Sequence, residues 1–404
     1  MKISLLRPLF LAALTFLAGI HPVPLTAQGR HPTKPTAISQ EMQRFVDDGV
    51  IAGAVTLVGR HDRILSVDAV GFSDLSARKA MRADDLFWIA SMTKPVTALA
   101  VLMLQDEGKL NVEDPVEKYL PEFKNQWLLS ESARDRRTLV PAPRPITLRD
   151  LLTHTAGLGD VPAPRPDASL AELVIAYSQQ PLRFPPGSKW EYSNPGINTL
   201  GRIVEVVSGE KYADFLRHRI LQPLGMKNTT FWPTAAQARR LAKSYKPAEG
   251  GKGLTETDIY FIKGALGDRH RTAIPAGGLF STAADIGRFY QMTLSGGTFG
   301  GKKISSPETL ALMTRTQSGQ TKTGFTDGMS WGFGFQVVRE PQGVTGMLSP
   351  GTYGHGGAYA TQSWADPKKD LVLVLMIQRA GFKNGDDSPV RKAFQETAVA
   401  VAAH

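Results

Sequence analysis

Apolar positions along the 404-residue chain change their spacing several times, and each change marks an element. Ile38, Met42, Phe45 and Val46 recur on one helix face and Gly49 closes the run, which predicts an N-terminal amphipathic helix. Two β-rich runs, Ala52 to Arg60 and Arg63 to Gly71, follow on either side of His61-Asp62 and read as a hairpin. Val96, Leu99, Val101, Leu102 and Leu104, before Gly108, predict a long buried helix that begins at or just before Ser91. From about Asn111 to Arg271 strand signals thin out. Helical patterns at Ala171 to Tyr177, Asn198 to Val207 and Tyr212 to Leu221 alternate there with proline-rich loops, Pro141 to Pro145 and Pro162 to Pro166. Strand character returns at Gly334 to Val338, His355 to Trp364 and Leu371 to Gln378, the last two joined by a turn at Asp366 to Asp370. Val390, Ala393, Phe394 and Val399 mark a closing helix.

Early and late strands separated by a helical block predict one antiparallel sheet built from both ends of the chain and flanked by helices, an α/β fold of the α+β type. In this reading residues 28–110 and 272–404 carry the sheet, residues 111–271 form a helical insertion, and the functional site lies where the two meet. The proline-rich stretch from Glu131 to Pro166 is expected to shape that site.

Residues 1–27 follow a different pattern. Lys2 and Arg7 precede an apolar run from Leu9 to Ile20, and small residues occur near Thr26-Ala27, the layout of a secretory signal peptide cleaved after Ala27. The run is shorter than the roughly 20 residues a spanning helix needs, and Pro22 and Pro24 follow it, so no stable membrane anchor is expected after cleavage. A periplasmic or secreted protein follows from this. The chain has no cysteine, which excludes disulfides, thiol nucleophiles and a lipid-anchored N-terminus. Its net charge of +10 becomes +8 once the leader, with two basic and no acidic residues, is removed. That charge would favour anionic envelope polymers such as cell-wall fragments. The basic residues are mixed with acids rather than gathered on one helix, so no nucleic-acid partner is expected. The eight histidines show no H-E-x-x-H or other ligand spacing, and neither a metal nor a cofactor is expected.

Candidate chemistry centres on serine. Three Ser-x-x-Lys tetrads occur, Ser76-Lys79, Ser91-Lys94 and Ser208-Lys211. Serine and lysine three residues apart cooperate only on one face of a helix, and the lysine serves as a base only if burial lowers its pKa. Only Ser91 opens a long apolar helix. Its own N–H is then free at the positive end of the helix dipole, which suits a developing oxyanion. Ser330 is the rival, because Gly328-Met329-Ser330-Trp331-Gly332 matches the nucleophile elbow G-x-S-x-G. An elbow needs a helix directly after the serine, whereas Gly332 to Val338 reads as glycines and a strand.

With Ser91-Met92-Thr93-Lys94 in place, the chain resembles the serine β-lactamase and penicillin-binding-protein superfamily: class C β-lactamases, DD-peptidases and family VIII carboxylesterases. The likeness covers nearly all of the mature chain and includes Leu151 to Leu158, Tyr192-Ser193-Asn194, Gly277 to Thr282 and Gly354-His355-Gly356-Gly357. It implies that Ser91 is the nucleophile, that Lys94 activates it, and that Tyr192 shuttles the proton with Lys94. Asn194 would orient the lysine and the substrate's acyl chain. Tyr192 and Asn194, two apart in an expected extended segment, would point the same way. The third motif of the β-lactamases is Lys-Thr-Gly on an edge strand, and here His355-Gly356-Gly357 stands in its place. The glycines would let substrate lie against the strand, and the Ala358 N–H would complete an oxyanion hole with that of Ser91. β-Lactams and D-Ala-D-Ala peptides carry a carboxylate that a permanent cation helps to hold, whereas histidine near neutral pH is mostly uncharged. Three functions stay open: a carboxylesterase for small esters or amides, a β-lactamase or DD-peptidase, and a non-catalytic envelope-binding protein. His355 favours the first, and the complete Ser91, Lys94, Tyr192 and Asn194 set disfavours the last. Arg379 or another arginine could replace the missing lysine, and His154 reads as a packed loop histidine.

Overall fold

The computed structural model describes residues 35–132, 136–162, 165 and 167–403; the expected leader at 1–27 lies outside them. Eight antiparallel strands form the main sheet, in the order Met329–Trp331, Gln336–Val338, Tyr353–Gly356, Gln362–Asp366, Leu371–Met376, Gly53–Gly59, Ile64–Asp74 and Lys79–Ala80. The chain's two ends meet in its middle, where Val55 faces Met376 and Gly59 faces Val372. Period-two alternation sorts the side chains of these central strands. Ala54, Val58, Leu371, Leu373 and Leu375 pack with Ile38 and Met42 of the helix Ala37–Asp47 and with Val390 and Phe394 of the helix Pro389–Ala402. Val55, Leu57, Val372, Val374 and Met376 pack on the other face, with Ile286 and Phe289 of the helix Ala283–Leu294 and the buried helix Lys94–Asp106. Both faces are therefore covered, which is why Leu371–Met376 is apolar throughout. An antiparallel sheet flanked by helices is the expected fold.

Several boundaries differ from the sequence reading. The run His355 to Trp364 is not one strand: it breaks at residues 357–361, where Gly357 N–H bonds Thr361 O and Ala360 takes a φ of 63°. Alternation of apolar residues cannot register such a turn. Met329–Trp331 is a strand in its own right and carries Ser330 in the sheet's edge. The region 111–271 contains the helices Leu170–Ser178 and Asn194–Ser208, yet also two hairpins, Trp127–Ser132 with Arg137–Pro141 and Tyr245–Pro247 with Leu254–Glu256. The first lies within the proline-rich stretch. Its strands are mostly exposed, so they lack the clear in-out pattern that a half-buried strand prints on a sequence. No helix among the described residues is long and apolar enough to cross a membrane.

Candidate active site

Ser91 sits in a 3₁₀ turn, Ala90–Thr93, that feeds directly into the α-helix Lys94–Asp106, so the expected long helix is tightened in its first turn. Ala90 takes a φ of 46°, in the left-handed region, a conformation that costs a non-glycine residue roughly 1–3 kcal/mol. Surrounding contacts hold it there. Thr93 Oγ1 donates to Ala90 O at 2.7 Å, Ile89 N–H bonds Leu279 O at 3.1 Å, and Trp88 Nε1 donates to Gly277 O at 2.7 Å. The short strand Phe87–Trp88 also pairs with Phe280–Ser281, which ties the Gly277 to Thr282 motif to the chain just ahead of the serine.

Lys94 has no exposed surface. Its Nζ lies 3.1 Å from Ser91 Oγ, 2.8 Å from Asn194 Oδ1 and 2.6 Å from Ala276 O. Burial pushes its pKa well below the ordinary lysine range. A neutral amine has two hydrogens and one lone pair, which match the two fixed acceptors and the Ser91 hydroxyl. Ala276, absent from the sequence reading, is clamped from both sides: its N–H bonds Asn198 Oδ1 at 3.0 Å, and neighbouring Pro275 O accepts from Thr97 Oγ1 at 2.9 Å.

Asn194 is not in an extended segment. Ser193 caps the helix Asn194–Ser208, its Oγ accepting from Gly196 N–H at 3.2 Å, and Asn194 is the first helical residue. Tyr192 and Asn194 nevertheless converge on Lys94, whose Nζ lies 4.6 Å from the centroid of the Tyr192 ring. Burial drives the Tyr192 pKa upward, and the neighbouring Ser91 hydroxyl partly offsets this.

His154 is packed, as expected, and also holds this motif in place. Its O accepts from Glu191 N–H at 2.9 Å, its Nδ1 accepts from Ser193 N–H at 3.1 Å, and its ring lies 4.7 Å from that of Tyr192. Trp190, Phe325 and Trp331 surround Tyr192 at centroid distances of 6.5, 5.0 and 6.0 Å and build an aromatic wall. Sequence reasoning missed this wall because Trp190 and Tyr192 lie more than a hundred residues from Phe325 and Trp331.

His355 is buried, 6.2 Å from the Tyr192 ring centroid. Its Nδ1 lies 2.6 Å from Gly356 O, so Nδ1 carries the ring proton, and Nε2 is left without a partner among the described residues. Burial first, then the nearby Lys94 charge, lower its pKa to about 4. Position 355 therefore carries no cation at neutral pH. Arg379 does not supply one, since its guanidinium is engaged by Val50 O at 2.9 Å and by Ala380 O. The strand Gln336–Val338 pairs only as far as Gly354, so the edge at His355 and Gly356 opens toward the site. A Cβ on Gly357 would sit 2.7 Å from Ile89 O, and glycine there lets this edge close on the chain leading to Ser91. The N–H groups of Ser91 and exposed Ala358 have no acceptor among the described residues.

The decoys fall away on geometry. Ser76 is exposed and donates to Asp74, while Lys79 Nζ donates to Arg239 O. Ser208 ends its helix before Gly209. Ser330 is fully buried within a strand with its Oγ donating to Val337 O, and no helix follows it, so no nucleophile elbow forms. Among the described residues no three His, Asp or Glu side chains gather to hold a metal ion.

A sheet closed from both chain ends, with a serine and a buried lysine at the helix entering its cleft, defines a β-lactamase-fold hydrolase. The chain belongs to the beta-lactamase family, whose sequence model matches residues 38–396. It is 36% identical over 366 residues to Protein Rv1367c of Mycobacterium tuberculosis, covering 83% of this chain and 88% of that protein. It is 31% identical over 365 residues to Esterase EstB of Burkholderia gladioli, covering 82% and 86%. The solved structure of EstCE1, a hydrolase with promiscuous acyltransferase activity, aligns with a TM-score of 0.73 at 26% identity over 90% of this chain and 97% of that one.

Proposed function

We propose that the protein is an exported serine hydrolase of carboxylesterase type, acting on small esters or amides through an acyl-enzyme on Ser91. The observation that carries this reading is the buried Lys94 amine, held by Asn194 and Ala276 O and 3.1 Å from Ser91 Oγ. Lys94 takes the hydroxyl proton as Oγ bonds the carbonyl carbon, and the N–H groups of Ser91 and Ala358 receive the oxyanion. Tyr192 gives its proton to the leaving oxygen as the ester bond breaks and recovers one from Lys94. Water then attacks the acyl-enzyme by the reverse proton path, releasing the acid. Esterase EstB among its relatives supports the ester reading. So do the aromatic wall beside Tyr192 and the uncharged His355. Export rests on the leader pattern of residues 1–27.

Purified protein is expected to hydrolyse p-nitrophenyl butyrate readily and nitrocefin poorly, with a serine-directed phosphonate recovered on the peptide that carries Ser91. Nitrocefin turnover comparable to that of the ester would move the protein to the β-lactamase side. Tyr192→Phe is expected to lower kcat/KM for the butyrate ester by about 100-fold with the fold intact. A loss of less than about threefold would remove the phenol from proton transfer.

A further inference from the structure

The glycine at position 356 has a second occupant. A Cβ built there would lie 1.9 Å from Asp386 Oδ1 and 2.7 Å from Gln362 Nε2, so the space that a threonine would fill in a Lys-Thr-Gly motif is taken by the carboxylate of Asp386. Gln362 Nε2 donates to Asp386 Oδ1 at 2.9 Å, and Gln336 Nε2 reaches Oδ2 at 3.3 Å. Both glutamines are buried, and Trp364 Nε1 donates to Gln362 Oε1 at 2.9 Å, which turns the amide's NH₂ toward the carboxylate.

Asp386 lies in the short turn Gly385–Asp387 just before the C-terminal helix, and Asn384, which caps that turn, donates to the backbone O of Phe325, whose ring packs beside Tyr192. The carboxylate is near enough to Tyr192, His355 and the buried Arg391 guanidinium to act on all three electrostatically. Among the described residues no lysine or arginine forms an ion pair with it. Buried Arg391, the nearest guanidinium by sequence, donates instead to its backbone O at 2.5 Å and lies over the Trp364 ring.

We propose that Asp386 is a specificity-determining residue, a fixed negative charge that selects against substrates bearing an anionic leaving group. This inference rests on the serine-hydrolase reading and deepens it. D-Ala-D-Ala peptides and β-lactams carry their carboxylate on the leaving side of the scissile bond. Position 355 carries no cation at neutral pH, and a carboxylate occupies the side-chain space of position 356 on the same strand. Neutral esters meet no such barrier, and a leaving group with a hydrogen-bond donor or a positive charge gains a partner.

The test compares phenyl butyrate with 3-carboxyphenyl butyrate, which differ by one carboxylate on the leaving group. Wild-type protein should favour the neutral ester. Asp386→Asn, which keeps an acceptor for Gln362, should raise the anionic-to-neutral ratio of kcat/KM by about five- to tenfold at low salt. Asp387→Asn, the same charge change at an exposed neighbour, should leave the ratio where it was. In the wild type the ratio should also rise as salt goes from about 10 mM to about 500 mM, a readout that needs no variant. An unmoved ratio in Asp386→Asn, an equal rise in Asp387→Asn, or a flat salt dependence overturns the proposal while hydrolysis of phenyl butyrate continues. If the wild type hydrolyses neither ester and Ser91 takes no phosphonate, the serine-hydrolase reading itself has failed and this inference falls with it.

Discussion

Ser91→Ala is expected to bring hydrolysis of p-nitrophenyl butyrate down by about 10⁴-fold or more and to abolish phosphonate labelling. Removing Oγ takes away the hydroxyl that lies 3.1 Å from the Lys94 amine. No nearby group can substitute: Ser330 is sealed in a strand, and Ser76 and Ser208 lack a buried lysine. What remains in the variant is binding and the two free N–H groups, which stabilise an oxyanion only when a nucleophile has attacked. Ser91 is half-buried and small, so thermal unfolding should move by no more than a few degrees, on the order of a surface substitution. Ester hydrolysis that survives in a folded Ser91→Ala protein would place the nucleophile elsewhere.

Lys94→Met is expected to cost about 10³- to 10⁴-fold in kcat/KM and to remove the acid limb of the pH profile. Methionine is chosen because it fills the buried stem without an amine. In the wild type, burial lowers the lysine pKa, so the neutral amine accumulates as pH rises through that depressed value and is lost as pH falls below it. Activity should therefore climb with pH well before the ordinary lysine range. His355 cannot supply this limb near neutrality, because its own pKa is lowered to about 4. Turnover within about tenfold of the wild type, or an acid limb unchanged in the methionine variant, would exclude Lys94 as the base. Stopped activity alone is not sufficient, so the profile and the phosphonate labelling rate belong to the same measurement.

The two substitutions probe features of unequal visibility in the sequence. The Ser91-Lys94 pair is local, since three residues of helical chain bring the side chains together whatever else the protein does, and the apolar run behind Ser91 distinguishes it from two other tetrads of the same spacing. The same holds for the N-terminal helix, the first hairpin and the C-terminal helix, each written in a hydrophobic period. Asn194 was legible as a motif residue but not as the start of a helix, because Ser193 and Pro195 are equally at home in a loop and a helical first turn. The turn at 357–361 was invisible for a related reason: Tyr359, Ala360 and Thr361 are buried as strand residues would be, while the hydrogen bonds there are those of a turn.

By itself the sequence determined the antiparallel sheet joined from both ends, the helices on its faces, and the serine-lysine tetrad, since each follows from side-chain periodicity or from spacing within one turn. Tertiary structure alone decided the rest. Lys94 receives its second fixed acceptor from Ala276, 182 residues away, and His154 clamps Ser193 across 39 residues. Asp386 settles over Gly356 through glutamines from two further strands. Packing brought these groups together, and a hydrogen bond between distant residues leaves no period for a sequence to display.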